Sequence, residues 1–264
     1  MNRAPVARHY PCRRCDGAVL VVFGPVSYFC FGRGTKQKDE MKVKPKTCLL
    51  TGSGLLLSFA LWTILILRVD VRPLGQNGTD IGLAALNLWF HRLTGMHMTV
   101  YTLTDWLGLV PILICLCFGG LGTAQLIKGK SLRRVDPDVI LLGIYYVLVI
   151  LLYLLFETIP VNYRPVPING MMEASYPSST VLLVLSVMPT LSFQVWRRSE
   201  NVKLRKAAAA FAAAFSVFMV AGRAVAGVHW LSDIVGSLLL SAGLFMLYRY
   251  AVLATDKRVS KERR

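Results

Sequence analysis

The chain has 264 residues, a formal net charge of +16, 55% apolar residues and only 17% charged ones. Soluble domains carry about 25% charged residues, and disordered or nucleic-acid-binding basic chains are far less apolar, so both classes are excluded and no nucleic-acid partner is expected. Six cysteines are too sparse for a disulfide scaffold. What remains is a membrane protein with cationic loops.

Residues 1–40 stand apart from the rest. They hold Cys12, Cys15 and Cys30 and a short apolar run, Ala18–Phe31, interrupted by Gly24 and Pro25. That run is too short to span a bilayer; it has the length of a signal-peptide core, but the first full span follows so closely that no cleavage is needed. Cys12-x-x-Cys15 is half a zinc site, with no second pair and only His9 beside it. The segment is read as an N-terminal extension, either disordered or upstream of a natural start at Met41. From Met41 the residues Lys42, Lys44 and Lys46 lead into the first span as an ordinary basic flank.

A helix crossing the hydrocarbon core needs about 20 apolar residues. Six runs qualify: Cys48–Leu67, Trp106–Ile127, Val139–Pro160, Pro177–Val195, Ala207–Val228 and Leu231–Leu253. The last two are separated by a few residues around His229 and predict a tight antiparallel hairpin. Between the first two lies a long loop, Arg68–Asp105. It opens with turn residues through Gly78, contains the glycosylation sequon Asn77-Gly78-Thr79, and then shows helical apolar spacing over Ile81–Leu93. That segment is either an interfacial helix or a helix packed on the bundle.

Basic residues divide unevenly between the two sides of such a bundle. Eighteen of the 30 flank the first span, follow the second, join the fourth to the fifth or close the chain. The other side receives Arg68, Arg72, Arg92, Arg164 and Arg223. Cationic loops stay in the cytoplasm. The expectation is an all-α integral membrane protein of the plasma membrane with six transmembrane helices and both termini cytoplasmic. Residues 41–256 form the membrane domain and 257–264 a basic cytoplasmic tail.

Ionisable residues at span ends are costly and mark function. Glu157 and Arg164 end the third span, Glu173 and Ser175–Thr180 begin the fourth, Arg223 ends the fifth, and His229 and Asp233 open the sixth. All fall on the extracytoplasmic side. His229 and Asp233 are four apart, a spacing that stacks them on one helix face. A carboxylate beside an imidazole holds the Nδ1–H tautomer and leaves Nε2 as nucleophile or base. Arg164 and Arg223 supply bidentate donors for phosphate. Pro177-Ser178-Ser179 opens the fourth helix with free N–H groups and hydroxyls suited to an anion. Taken singly, Asp233 reads equally as a helix cap and each arginine as a headgroup-directed side chain.

These residues resemble the PAP2 superfamily (type 2 phosphatidic acid phosphatases), whose motifs are K-x6-R-P, P-S-G-H and S-R-x5-H-x3-D. Here they read Glu157-x6-Arg164-Pro165, Pro177-Ser178-Ser179-Thr180 and Gly222-Arg223-x5-His229-x3-Asp233. The resemblance implies a six-helix PAP2-like bundle and metal-independent phosphoryl transfer with no cofactor. It implies that His229 attacks phosphorus to form a phosphohistidine and that Asp233 orients it. Arg164, Arg223, Ser178 and Ser179 would hold the phosphoryl oxygens. The implied partners are membrane lipids, with a lipid phosphate or polyprenyl diphosphate as substrate. Of the positions that depart from the pattern, three bear on the chemistry. Glu157 replaces a lysine, Gly222 a serine, and Thr180 the histidine that protonates the leaving group. The consequences open are a diphosphate substrate whose leaving group needs little protonation, a substitute acid such as Glu173, or a degenerate protein that binds or transports lipid phosphate without turnover. A phosphotransferase, passing the phosphoryl group to an acceptor other than water, shares the same His–Asp pair.

Overall fold

The computed structural model describes residues 21–23, 27–29, 44–74, 78–168 and 170–262. The Cys12–Cys15 pair, the start at Met41 and Asn77 of the sequon lie outside the described residues. Within the apolar run at 18–31, where no span was expected, Val21–Phe23 (β1) and Ser27–Phe29 (β2) pair as a short antiparallel ladder with Val22 opposite Tyr28. The elements that follow among the described residues are all helical.

The helices follow in chain order: α1 (Pro45–Arg68), α2 (Ala84–Thr94), α3 (Met98–Leu107), α4 (Leu109–Gly129), α5 (Pro137–Thr158), α6 (Ser179–Arg198), α7 (Val202–Ala226) and α8 (Leu231–Glu262). Proline opens α1 and α5, where its missing N–H costs nothing. Asn201 caps α7 by accepting from the N–H groups of Lys203 and Leu204. Among the described residues six helical stretches are long and apolar enough to cross a membrane, α3 and α4 together making one. They correspond to the six runs expected from the sequence, and the protein is a multi-pass membrane protein. Helix α8 continues through the basic residues from 257 to Glu262.

The bundle is built around α8. Of its apolar window 72% is buried, against 11% for α1. Leu240, Leu244, Phe245, Tyr248 and Val252 pack against Leu142, Tyr145 and Val149 of α5 and Leu182 of α6. The outer helices turn Leu57, Leu61, Leu116, Ile144 and Leu151 outwards, as side chains that meet lipid must be. Helix α2 packs on the bundle with one face and leaves the other exposed. Its Asn87 is buried against the start of α8, while Leu86, Trp89 and Leu93 stay exposed.

At one end of the bundle Arg197 and Arg198 of α6 form ion pairs with Asp136, Asp138 and Asp256. The site lies at the other end of α6, a helix of 20 residues, so about 30 Å away at 1.5 Å per residue.

Candidate functional site

The site is assembled where α8 begins. Ser232, fully buried, is held from three directions: its carbonyl accepts from Trp62 Nε1 of α1, its N–H donates to Asn87 of α2, and its hydroxyl accepts from Asn87 Nδ2. Asn162, from the loop after α5, accepts the N–H of Gly82. The loop 160–178 is stitched to the same point. Trp230 Nε1 donates to the Tyr163 carbonyl at 2.7 Å, Tyr163 bridges Ala174, and the Ser178 N–H reaches the Asp233 carbonyl at 3.4 Å. Tyr176 anchors the loop by stacking on Phe59 and hydrogen bonding Thr63. Four regions remote in sequence therefore meet at His229.

His229 is not on a helix. It lies in the turn after Gly227, whose φ of +72 ends α7 in the left-handed conformation. A Cβ at Gly227 would stand 2.0 Å from the Gly95 carbonyl oxygen, so both the turn and the close approach require glycine. The i,i+4 stacking expected on a helix is thus replaced by a turn running into α8. Asp233 Oδ2 accepts the Trp230 N–H at 2.9 Å and stands 3.6 Å from His229 Nδ1. That distance is beyond hydrogen-bond length. The imidazole is held instead by the Ser175 carbonyl, 3.1 Å from Nδ1. A carbonyl only accepts, so Nδ1 carries the proton and Nε2 keeps its lone pair. Asp233 is both a cap for the start of α8 and a nearby negative charge. A backbone acceptor has no signature in sequence, which is why Ser175 was not expected in this role.

His229 is 3% exposed and its Nε2 has no hydrogen-bond partner among the described residues. Burial pushes its pKa below the ordinary histidine range, and the charges of Arg164 and Arg223 add to this against the pull of Asp233. The ring is therefore neutral at neutral pH.

Both arginines reach this centre. Arg164 pairs with Glu173 at 3.0 Å through Nη2, and its Nε and Nη1 have no hydrogen-bond partner among the described residues. Glu173, a candidate substitute acid, is thus the counter-ion of Arg164. Arg223 has a side chain 3% exposed; its Nη2 donates to Asp105 at 2.7 Å and to Thr180 Oγ1, while its Nε and Nη1 have no hydrogen-bond partner among the described residues. Ser178, fully buried, has a hydroxyl without a hydrogen-bond partner among the described residues, and Ser179 begins α6 beside it. A small open depression reaches His229 between Tyr153, Phe156 and Glu157 of α5 and Tyr176 and Ser179. Glu157 stands exposed in its wall.

Asp105 and Tyr101, whose ring lies 4.9 Å beneath the Arg223 guanidinium, were not expected. Asp105 carried a usable signal, an acidic side chain at a span end, the same rule that singled out the others.

A family model described as PAP2 superfamily matches residues 112–256, more than half of the chain. The chain belongs to the PAP2 superfamily. A solved structure of similar fold is a transmembrane PAP2 type phosphatidylglycerolphosphate phosphatase from Bacillus subtilis, with a TM-score of 0.56 and 18% identity, covering 79% of this chain and 97% of that one. A comparison with curated protein sequences finds no match. In this PAP2 protein the three stretches that resemble the family motifs run from the end of α5 into the loop before α6, over the start of α6, and from the end of α7 through the turn into α8.

Proposed function

We propose that this PAP2 protein is a membrane lipid phosphatase or diphosphatase working through a phosphohistidine on His229. The observation that carries this reading is a set of buried polar atoms without partners around one neutral imidazole: His229 Nε2, Nε and Nη1 of Arg164 and Arg223, and the Ser178 hydroxyl. Buried polar groups are normally satisfied. A cluster of donors and one nucleophilic lone pair fits a phosphoryl group. The approach to His229 is walled by Tyr153, Phe156 and Leu182 of α5 and α6.

In the first step Nε2 forms the N–P bond as the P–O bond to the lipid breaks and the leaving oxygen takes the electron pair. Arg164, Arg223, Ser178 and the N-terminus of α6 balance charge on the three equatorial oxygens. The Nδ1–H stays on the Ser175 carbonyl, and Asp233 stabilises the imidazolium that forms. Water then attacks phosphorus, the N–P bond breaks, and Nε2 recovers its lone pair as phosphate leaves. Thr180 has no useful pKa for protonating an alkoxide. A diphosphate, whose leaving group is already a stable anion, fits this site with less help. The basic asymmetry of the loops supports an extracytoplasmic site in the plasma membrane with both termini cytoplasmic. The test is phosphate release from a panel of lipid mono- and diphosphates, with His229→Ala alongside.

A second reading is favoured by one contact. Thr180, standing where the family has its acid, is engaged with Arg223, as in a protein that holds lipid phosphate without turnover. Trapping an acid-labile phosphohistidine rules it out as the sole function. A phosphotransferase gives the same intermediate and differs in requiring an acceptor other than water.

A further inference from the structure

We propose that Asp105, on α3, is a positioning residue for Arg223, and that Gly222 and Thr180, two of the positions departing from the family motifs, serve this arrangement. The proposal rests on the reading of Arg223 as a phosphate ligand. Helix α3 lies outside the stretch matched by the family model, which begins at residue 112.

The Arg223 guanidinium is nearly inaccessible and is fixed on three sides. Asp105 Oδ1 accepts from Nη2 at 2.7 Å, Thr180 Oγ1 accepts from the same nitrogen, and the Tyr101 ring lies 4.9 Å beneath it. Asp105 and Tyr101 come from successive turns of α3, so the seating of α3 on α7 decides where the guanidinium sits. That seating depends on Gly222. A Cβ there would lie 2.7 Å from Thr104 Cγ2. Thr104 is fully buried and cannot swing aside cheaply, because its hydroxyl donates to the Val100 and Tyr101 carbonyls at 2.8 and 3.0 Å. A side chain at 222 therefore moves α3, and Asp105 with it. The family serine at this position and the Asp105–Arg223 contact exclude one another as long as residue 104 is threonine. Since the Asp105 side chain is 58% exposed, its charge is screened and the hydrogen-bond geometry is the larger part of its effect.

The experiment measures binding of orthovanadate, a phosphate mimic, by calorimetry on the purified full chain, with melting temperature and lipid phosphate hydrolysis on the same samples. Asp105→Ala is expected to weaken vanadate about tenfold or more, the scale of a lost charge-assisted hydrogen bond. Asp105→Asn, which keeps an acceptor, is expected to weaken it no more than about threefold. Gly222→Ser should resemble Asp105→Ala. Adding Thr104→Ser to Gly222→Ser deletes the obstructing methyl, keeps the hydroxyl, and should restore affinity. Unchanged or tighter vanadate binding in Asp105→Ala overturns the proposal, as does a Gly222→Ser variant that Thr104→Ser does not rescue. Should Asp105→Ala fail to fold, the serine pair decides alone. A wild-type chain that binds no vanadate and releases no phosphate overturns the phosphatase reading and this proposal together. Wild-type hydrolysis with indifferent variants overturns this one only.

Discussion

Ser178→Ala separates a phosphate ligand from a structural hydroxyl, because the two roles predict opposite balances of stability and activity. The Ser178 side chain is fully buried and its hydroxyl has no partner, while its backbone is committed: the N–H reaches Asp233, and the carbonyl accepts from Leu182 N–H and the Ser237 hydroxyl. A buried hydroxyl without a partner costs about 1–3 kcal/mol. Alanine keeps the Cβ and the backbone bonds and removes that cost, so the free protein should be unchanged or more stable by about 1 kcal/mol, a rise of a few degrees in melting temperature. A hydrogen bond to a charged phosphoryl oxygen is worth about 1.5–3 kcal/mol, so kcat/KM should fall by about 10- to 150-fold. The assay is thermal unfolding in detergent alongside initial rates on a lipid phosphate. A variant that melts several degrees lower and turns over normally refutes the reasoning, since the hydroxyl would then be serving the fold.

Other predictions follow from the same geometry. Because burial and the two arginines lower the His229 pKa, the nucleophile stays neutral as pH falls through 6.5; kcat/KM should hold from pH 8 to 6.5 and decline only below, as a pH–rate profile will show. By the same sign, the unfolded chain takes up a proton that the buried ring refuses, so stability is lost as pH drops below about 6.5. Thr180→His should raise turnover of monoesters relative to diphosphates, measured as a ratio of kcat/KM values; an unchanged ratio argues against the leaving-group account. Gly227→Ala should destabilise by more than about 2 kcal/mol, read from denaturation, since it adds a positive-φ penalty to a Cβ 2.0 Å from the Gly95 oxygen.

The six spans are legible because run length against bilayer thickness leaves few alternatives, and charge at span ends singles out Arg164, Arg223, His229 and Asp233, which the structure brings close to one another. What was not legible depends on contacts across long sequence separations. Asp105 meets Arg223 over 118 residues, and no local pattern announces that α3 lies on α7. The tautomer of His229 is held by a carbonyl, and a carbonyl is present at every residue. The spacing of His229 and Asp233 suggested a helix face, but Gly227 turns the chain first, so Asp233 caps α8 and lies beyond hydrogen-bond length from the ring. Glu173, read as a candidate acid, is the partner of Arg164 because the loop folds back to pair Tyr163 with Ala174.

The central claim is that His229 carries the phosphoryl group. Wild-type protein and His229→Ala, matched for melting behaviour, would be mixed with a phosphate-labelled lipid diphosphate, quenched in base and assayed for protein-bound label that is stable in base and lost in acid. The account predicts such label on the wild type alone, with phosphate release abolished in the variant. Phosphate release that persists in His229→Ala would contradict it.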